Sequence, residues 1–80
     1  MFTVLHVESS HFFTKLYRRI VEGQKARYLE AGSADEALQI LEKEHVDIII
    51  SASTVDGGLD SFVKRLGQSR FRILPVVVSS

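Results

Sequence analysis

Four short apolar segments alternate with three amphipathic ones along the chain, and this alternation constrains the fold more than any other feature. The segment Val46 to Ser51 is the most hydrophobic, and Thr3 to Val7 is apolar or β-branched at four of its five positions. Such runs are typical of strands buried on both faces of a parallel sheet. We expect further strands over residues 26–31, at a sheet edge, and 74–79. Because one helical segment joins each strand to the next, we predict a doubly wound α/β sheet with right-handed crossovers and the order β-α-β-α-β-α-β.

The first helical segment carries a broad apolar stripe. Its members repeat every four residues in two rows, Phe12, Leu16 and Ile20 in one and Phe13, Tyr17 and Val21 in the other. We predict that this stripe lies in the core, with Lys15, Arg18 and Arg19 toward solvent. Gly23 is expected to end the helix.

The second and third helical segments have clear boundaries. Ser33-Ala34-Asp35-Glu36 has the Ser-x-x-Glu form of a capping box, and the third segment lies between Gly57-Gly58 and Gly67. The apolar positions predicted to face the sheet are Ala34, Ala37, Leu38 and Leu41 in the second helix and Leu59, Phe62, Val63 and Leu66 in the third.

The composition excludes several classes of protein. The 80 residues make one domain, and ten basic residues balance ten acidic ones, so no electrostatic case exists for binding nucleic acid. There is no cysteine, which excludes disulfides and thiolate metal sites. No apolar run is long enough for a membrane span, and the N-terminus does not have the pattern of a signal peptide. We expect a cytoplasmic protein without a membrane partner.

Functional residues of such sheets lie just past the carboxyl ends of the strands. Here those positions are Glu8 to Ser10, Ser51 to Val55 and Ser79-Ser80. The hydroxyl-rich ends leave a small α/β enzyme or a nucleotide binder as an alternative, although no base is evidently paired with any serine. The three histidines have no metal-ligand spacing, and His6, inside a buried strand, is expected to be a hydrogen-bonded neutral imidazole.

Five segments in this order resemble the response-regulator receiver domain of two-component signalling. Residues 4–10 look like its first strand and acidic pair, and residues 46–51 look like its third strand; the remaining segments are residues 30–38, 62–66 and 74–80. The resemblance implies a flavodoxin-like, CheY-like sheet with the strand order 2-1-3-4. It also implies a signalling module that is not itself an enzyme.

The site residues of that family are only partly matched. Ala52 stands where the resemblance places the phosphorylated aspartate, and Glu8 and Ser9 stand where it places two acids that hold Mg²⁺. Ser80 matches the Thr/Ser position, and the lysine of the fifth strand has no counterpart. One carboxylate and one hydroxyl would hold Mg²⁺ poorly, so we expect no cofactor, no catalytic residue and no metal, with Glu8 as the single weak metal candidate. The alternative is a receiver that is still phosphorylated, with Asp56 as the phosphoryl acceptor, displaced from the position of Ala52.

The resemblance also implies that residues 1–80 lack the last two helices and the fifth strand of the family. The fourth strand would then be an edge, and such edges pair with other chains. We expect a pseudo-receiver that acts by protein contact, with an output domain, a histidine kinase or another receiver as partner. We also expect a homodimer through the edge at Val76-Val77-Val78.

Overall fold

The computed structural model describes residues 1–55 and 58–79, which form four strands and three helices. The strands are β1 (Thr3–Val7), β2 (Arg27–Ala31), β3 (Ile48–Ala52) and β4 (Val76–Ser79), and the helices are α1 (His11–Gly23), α2 (Ala34–Lys43) and α3 (Leu59–Gly67). The predicted order of elements is confirmed.

All strands are parallel, and their order in the sheet is β2-β1-β3-β4. The predicted fold class and strand order are therefore confirmed. In the register of the two central strands, Val4 lies opposite Ile48 and Val7 opposite Ser51. The carboxyl ends of β1 and β3 consequently meet at one edge, where the chain leaves the sheet.

Three strands begin later than the sequence predicts, and the first of them, β2, starts one residue later, at Arg27. The β3 ladder starts at Ile48, and Asp47 just before it accepts a hydrogen bond on Oδ2 from the Thr3 N–H at 2.7 Å. The ladder of β4 starts at Val76, directly after Pro75, which has no N–H to donate.

One of the two bonds of the predicted capping box is present at the start of α2, and the other is displaced by one residue to Gly32. Ser33 Oγ accepts a hydrogen bond from the Glu36 N–H at 3.2 Å, and Glu36 Oε1 accepts one from the Gly32 N–H at 2.7 Å. The first bond satisfies a backbone donor of the first helical turn, whereas Gly32 precedes the N-cap residue Ser33 and lies outside that turn. The helix then buries Ala37 and Leu41 against the sheet.

The larger part of the core lies between the sheet and the α2 and α3 helices. Phe62 of α3 is fully buried there, together with Leu5 and Val7 of β1 and Ile49 of β3. Val63, predicted to face the sheet, is 45% exposed, because α3 is short and contacts the sheet through one row of side chains. The core on the α1 side is smaller, with Val4, Val21 and Tyr28 as its buried members.

The prediction that the whole apolar stripe of α1 is core is wrong. Val21 and the polar Thr14 are the buried residues of this helix, and Tyr17 is half-buried. The exposed side chains of the stripe are Phe12 (71%), Phe13 (42%), Leu16 (41%) and Ile20 (55%). A helix lying on a sheet buries only the narrow part of its surface that faces the sheet. The apolar stripe of α1 is wider than that buried surface. Among the described residues no second helix packs beside α1 to cover the rest.

Candidate functional site

The carboxyl ends of β1 and β3 form a shallow cavity of about 270 Å³. Its walls are Glu8 and Ser9 after β1, Gly32 after β2, and Ala52, Thr54 and Val55 at and after the end of β3. The sequence-predicted residues Glu8, Ser9 and Ala52 are thus brought together. Asp56 and Ser80, the other two predicted site residues, lie outside the described residues.

Ala52 ends β3 with a methyl group that is 5% exposed at the cavity wall. Its carbonyl accepts a hydrogen bond from the buried Ser51 hydroxyl at 3.1 Å, and its Cα lies opposite that of Ser79 in β4. A methyl group can neither attack a phosphoryl group nor bind a cation. The position where the resemblance places the phosphorylated side chain therefore provides no chemistry.

Glu8 is held by the chain around it. Its Oε2 accepts a hydrogen bond from the Ser10 N–H at 3.0 Å, and its own N–H donates to the Ala31 carbonyl at 2.9 Å. Ser10 is the N-cap residue of α1 and makes no side-chain cap bond, so the carboxylate of Glu8 supplies an acceptor at this helix start. This geometry matches a capping role for Glu8.

The residues present do not fit a protein-held Mg²⁺ ion. Mg²⁺ requires near-octahedral oxygen ligands, commonly one or two carboxylates besides waters and substrate oxygens. The described wall of the cavity offers a single carboxylate, Glu8, which already accepts a backbone N–H, and the hydroxyls of Ser9 and Thr54. In residues 1–55 and 58–79, no three His, Asp or Glu side chains come together as metal ligands do.

A polar cluster that the sequence analysis did not identify lies beneath α1. His6 is fully buried, and its Nδ1 lies 2.8 Å from the hydroxyl of Tyr28. The imidazole stacks on the ring of Tyr17, with the centroids 4.4 Å apart, and burial lowers the pKa of His6. Burial also raises the pKa of the Tyr28 hydroxyl. The predicted burial and hydrogen bonding of His6 are confirmed, and its lowered pKa favours the neutral imidazole.

Tyr17 connects this cluster to the carboxyl end of β4. Its hydroxyl lies 2.8 Å from Ser79 Oγ, so the last described residue of β4 is tied to α1. The alternation of side chains along strands places His6 and Tyr28 on one face of the sheet, and this signal could have revealed the contact between them. The contact between Tyr17 and Ser79 joins residues far apart in the sequence and leaves no local pattern. The partners of the buried Ser51 and of Ser79 are thus a carbonyl and a tyrosine hydroxyl, neither of which is a base.

The parallel sheet of order 2-1-3-4 with its cavity at the carboxyl edge is the CheY-like fold of response-regulator receiver domains, and comparison with solved structures confirms the resemblance at the level of the fold. The receiver protein of Pseudomonas putida superposes with a TM-score of 0.93 at 16% identity, over 99% of this chain and 67% of its own. The chemotaxis response regulator CheY4 of Vibrio cholerae gives a TM-score of 0.88 at 25% identity, over 98% and 67%.

A third similar structure is the signal receiver domain of a signal transduction histidine kinase from Syntrophus aciditrophicus. Its TM-score is 0.91 at 21% identity, over 100% of this chain and 62% of that one. The chain thus spans about two thirds of the length of these structures. No family model matches the sequence, and no curated protein matches it significantly. In the described part of the chain, no helix has both the length and the apolar character needed to cross a bilayer.

Proposed function

We propose that the chain is a receiver-like signalling module that acts through protein contacts and is not switched by aspartyl phosphorylation. The receiver fold supports the signalling role, and Ala52 carries the second part of the proposal. A phosphoryl acceptor at the end of β3 would need a nucleophilic oxygen on that side chain, and alanine has none.

Glu8 gives independent support. Its Oε2 is engaged with the Ser10 N–H at the start of α1, so a metal bound by both oxygens of this carboxylate would compete with that bond. Electrostatic stabilisation of a transferring phosphoryl group depends on cations positioned beforehand. The described cavity wall has a single carboxylate and no basic side chain. This set of groups is poorly suited to phosphoryl transfer.

Intact-mass measurement after incubation with acetyl phosphate and Mg²⁺ tests this proposal. We expect no gain of a phosphoryl group under conditions that modify a phosphorylatable response regulator run beside it. The variant Asp56→Asn is the matched control for the alternative of a displaced acceptor. A gain of one phosphoryl group in the chain that is lost in Asp56→Asn would replace our proposal with that alternative.

The partners that we propose are an output domain, a histidine kinase or another receiver, in the cytoplasm. We propose a second copy of the chain as a further partner, bound at the edge of the sheet. Among the described residues β4 pairs with β3 alone, and Val77 and Val78 are 47% and 50% exposed. An open strand beside apolar side chains favours pairing with another strand, so we propose a homodimer through β4.

Light scattering across a concentration series tests the homodimer. We expect a dimer that the substitution Val77→Lys weakens, because charges on an edge strand oppose pairing. Val63→Lys is the matched control, since Val63 is similarly exposed but lies on α3. A compact monomer at all concentrations would exclude the homodimer.

A further inference from the structure

The α2 and α3 helices lie on one face of the sheet, and a groove of about 590 Å³ lies between them. The residues that line it, named the α2–α3 groove here, are Asp35, Leu38, Gln39 and Glu42 of α2, Arg65 of α3, and Gln68, Ser69 and Phe71 after α3. Leu38 and Phe71 are partly buried and pack against the larger core. The charged residues and the glutamines of the groove are exposed, so this surface is open to a partner.

The two walls of the groove carry opposite charges. Asp35 and Glu42 make the α2 wall acidic, whereas Arg65 and Arg70, which follows just after the groove residues of α3, make the other wall basic. Asp35 Oδ1 lies 2.8 Å from Arg65 Nη2. Glu42 Oε2 lies 2.7 Å from Arg70 Nη2. These two ion pairs show which residues of the two walls lie at the same level along the groove.

We infer that the α2–α3 groove is a contact surface for a second copy of this chain, related to the first by a two-fold axis that runs along the groove. Such an axis places α2 of one copy over α3 of the other and keeps every residue at its own level. Asp35 would then face Arg65 of the second copy. Glu42 would likewise face Arg70 of the second copy. Each ion pair would meet its own copy in a ring of alternating charges, and such networks stabilise more than isolated exposed pairs do.

The uncharged residues of the groove are complementary under the same symmetry. Gln39 lies between the two acidic residues of α2, and Gln68 lies between the two arginines of the other wall. A side-chain amide has both donors and an acceptor, so Gln39 of one copy and Gln68 of the other can form hydrogen bonds. Leu38 and Phe71 would lose their remaining exposure to water, which is favourable for apolar surface.

Other arrangements and other partners fit the charges of the groove less well. A two-fold axis at right angles to the groove would place α2 over α2, so Asp35 would face Glu42 of the second copy, and like charges across an interface are repulsive. A uniformly acidic partner, such as nucleic acid or an anionic membrane, would meet the acidic wall. A uniformly basic partner would meet the basic wall. A second copy supplies both signs of charge in the required order.

This contact is separate from the edge of β4 and does not depend on the homodimer proposed there. The charges of the groove are already paired within each copy, and exposed ion pairs contribute little, so we expect the contact to form at higher concentration than the β4 homodimer. The substitution Val77→Lys, which opposes pairing at β4, isolates the contact. The experiments below are therefore made in the Val77→Lys chain.

Sedimentation equilibrium of the Val77→Lys chain over a wide concentration range measures the contact. We expect a monomer–dimer equilibrium, in which Glu42→Arg raises the Kd about tenfold or more, because a two-fold contact contains the change twice. Glu44→Arg is the matched control. It removes the ion pair of Glu44 with Arg27 at 2.8 Å, which lies outside the groove, and should leave the Kd unchanged. A monomer at all concentrations, or an equal effect of both substitutions, would overturn the inference.

An exchange of charges between the two walls tests the symmetry itself. The exchanged chain carries Asp35→Arg, Arg65→Asp, Glu42→Arg and Arg70→Glu, so its internal ion pairs are kept with reversed signs. It should dimerise with itself but not with the original chain, because walls of like charge would then face each other. Native mass spectrometry of a mixture in which one chain is labelled with ¹⁵N detects the mixed dimers. Free mixing of exchanged and original chains would overturn the inference.

Circular dichroism of each variant establishes that it is folded before its association is measured. If the exchanged chain does not fold, the comparison of Glu42→Arg with Glu44→Arg still decides the question. These experiments contain no phosphoryl donor and use a chain whose β4 edge carries a charge. A failure here is therefore distinct from a failure of the mass measurement or of the β4 homodimer.

Discussion

Acidification should destabilise this fold through His6. The imidazole is fully buried between Tyr17 and Tyr28, and among the described residues its Nε2 has no hydrogen-bond partner. Burial holds the pKa of His6 below its ordinary value of 6.5, and the carboxylates of Glu8 and Glu30 oppose part of that shift. A protonated imidazole would place a charge in an apolar interior, which is costly.

The sign of the effect follows from proton binding. Below pH 6.5 the unfolded chain protonates this histidine while the folded chain does not. The unfolded state therefore binds more protons, and the free energy of unfolding falls as the pH drops from 6.5 to the folded-state pKa. For one histidine the slope is at most about 1.4 kcal/mol per pH unit. In a domain of this size the slope corresponds to a Tm decrease of about 6–11 °C per pH unit.

Urea unfolding followed by circular dichroism, from about pH 8 to pH 5, measures this slope. The double variant His6→Leu with Tyr28→Phe removes both partners of the buried hydrogen bond, so neither group is left unpaired. It should lose most of the slope, whereas His11→Gln, a change at an exposed histidine, should keep it. Equal slopes in the chain and the double variant would refute the reasoning, as would an ordinary pKa for His6 in an NMR titration.

Three further predictions concern single side chains. Phe62→Ala should lower the free energy of unfolding by about 3–5 kcal/mol in urea titrations, because Phe62 is a fully buried residue of the larger core; a loss below about 1 kcal/mol would show that the core is not packed there. Tyr17→Phe should cost about 1 kcal/mol through the lost Ser79 contact, and hydrogen exchange in β4 should rise. The Thr3 N–H and then His45 lower the pKa of Asp47, so Asp47→Asn should lower the Tm at neutral pH, and the difference should shrink as the pH falls below 3.8. A difference that does not change with pH would exclude that explanation.

The fold was predictable because its signals are local. The run Ile48-Ile49-Ile50 indicates a buried strand by itself, and Ser33 with Glu36 marks a helix start by itself. Alternation of such elements leaves few topologies once parallel pairing and right-handed crossovers apply. The site residues Glu8 and Ala52 could be placed for the same reason, since both follow directly from where a strand ends.

What could not be predicted depends on distant neighbours. The apolar spacing of α1 indicates a helix, but the exposure of Phe12 and Ile20 depends on what lies beside that helix on the sheet. The stacking of His6 on Tyr17 likewise depends on how α1 lies across β1. Neither the exposure of these side chains nor this stacking can be predicted from the spacing of residues along one helix or strand.

We propose that the carboxyl edge of this receiver fold does not respond to a phosphoryl donor. The most direct test is a pair of ¹H–¹⁵N NMR spectra of the chain with Mg²⁺, recorded before and after addition of acetyl phosphate. We predict that the backbone signals of Glu8, Ser9 and Ala52, which line the cavity, keep their positions. Shifts of these signals that extend into α3 would show that the edge still accepts a phosphoryl group and would contradict this prediction.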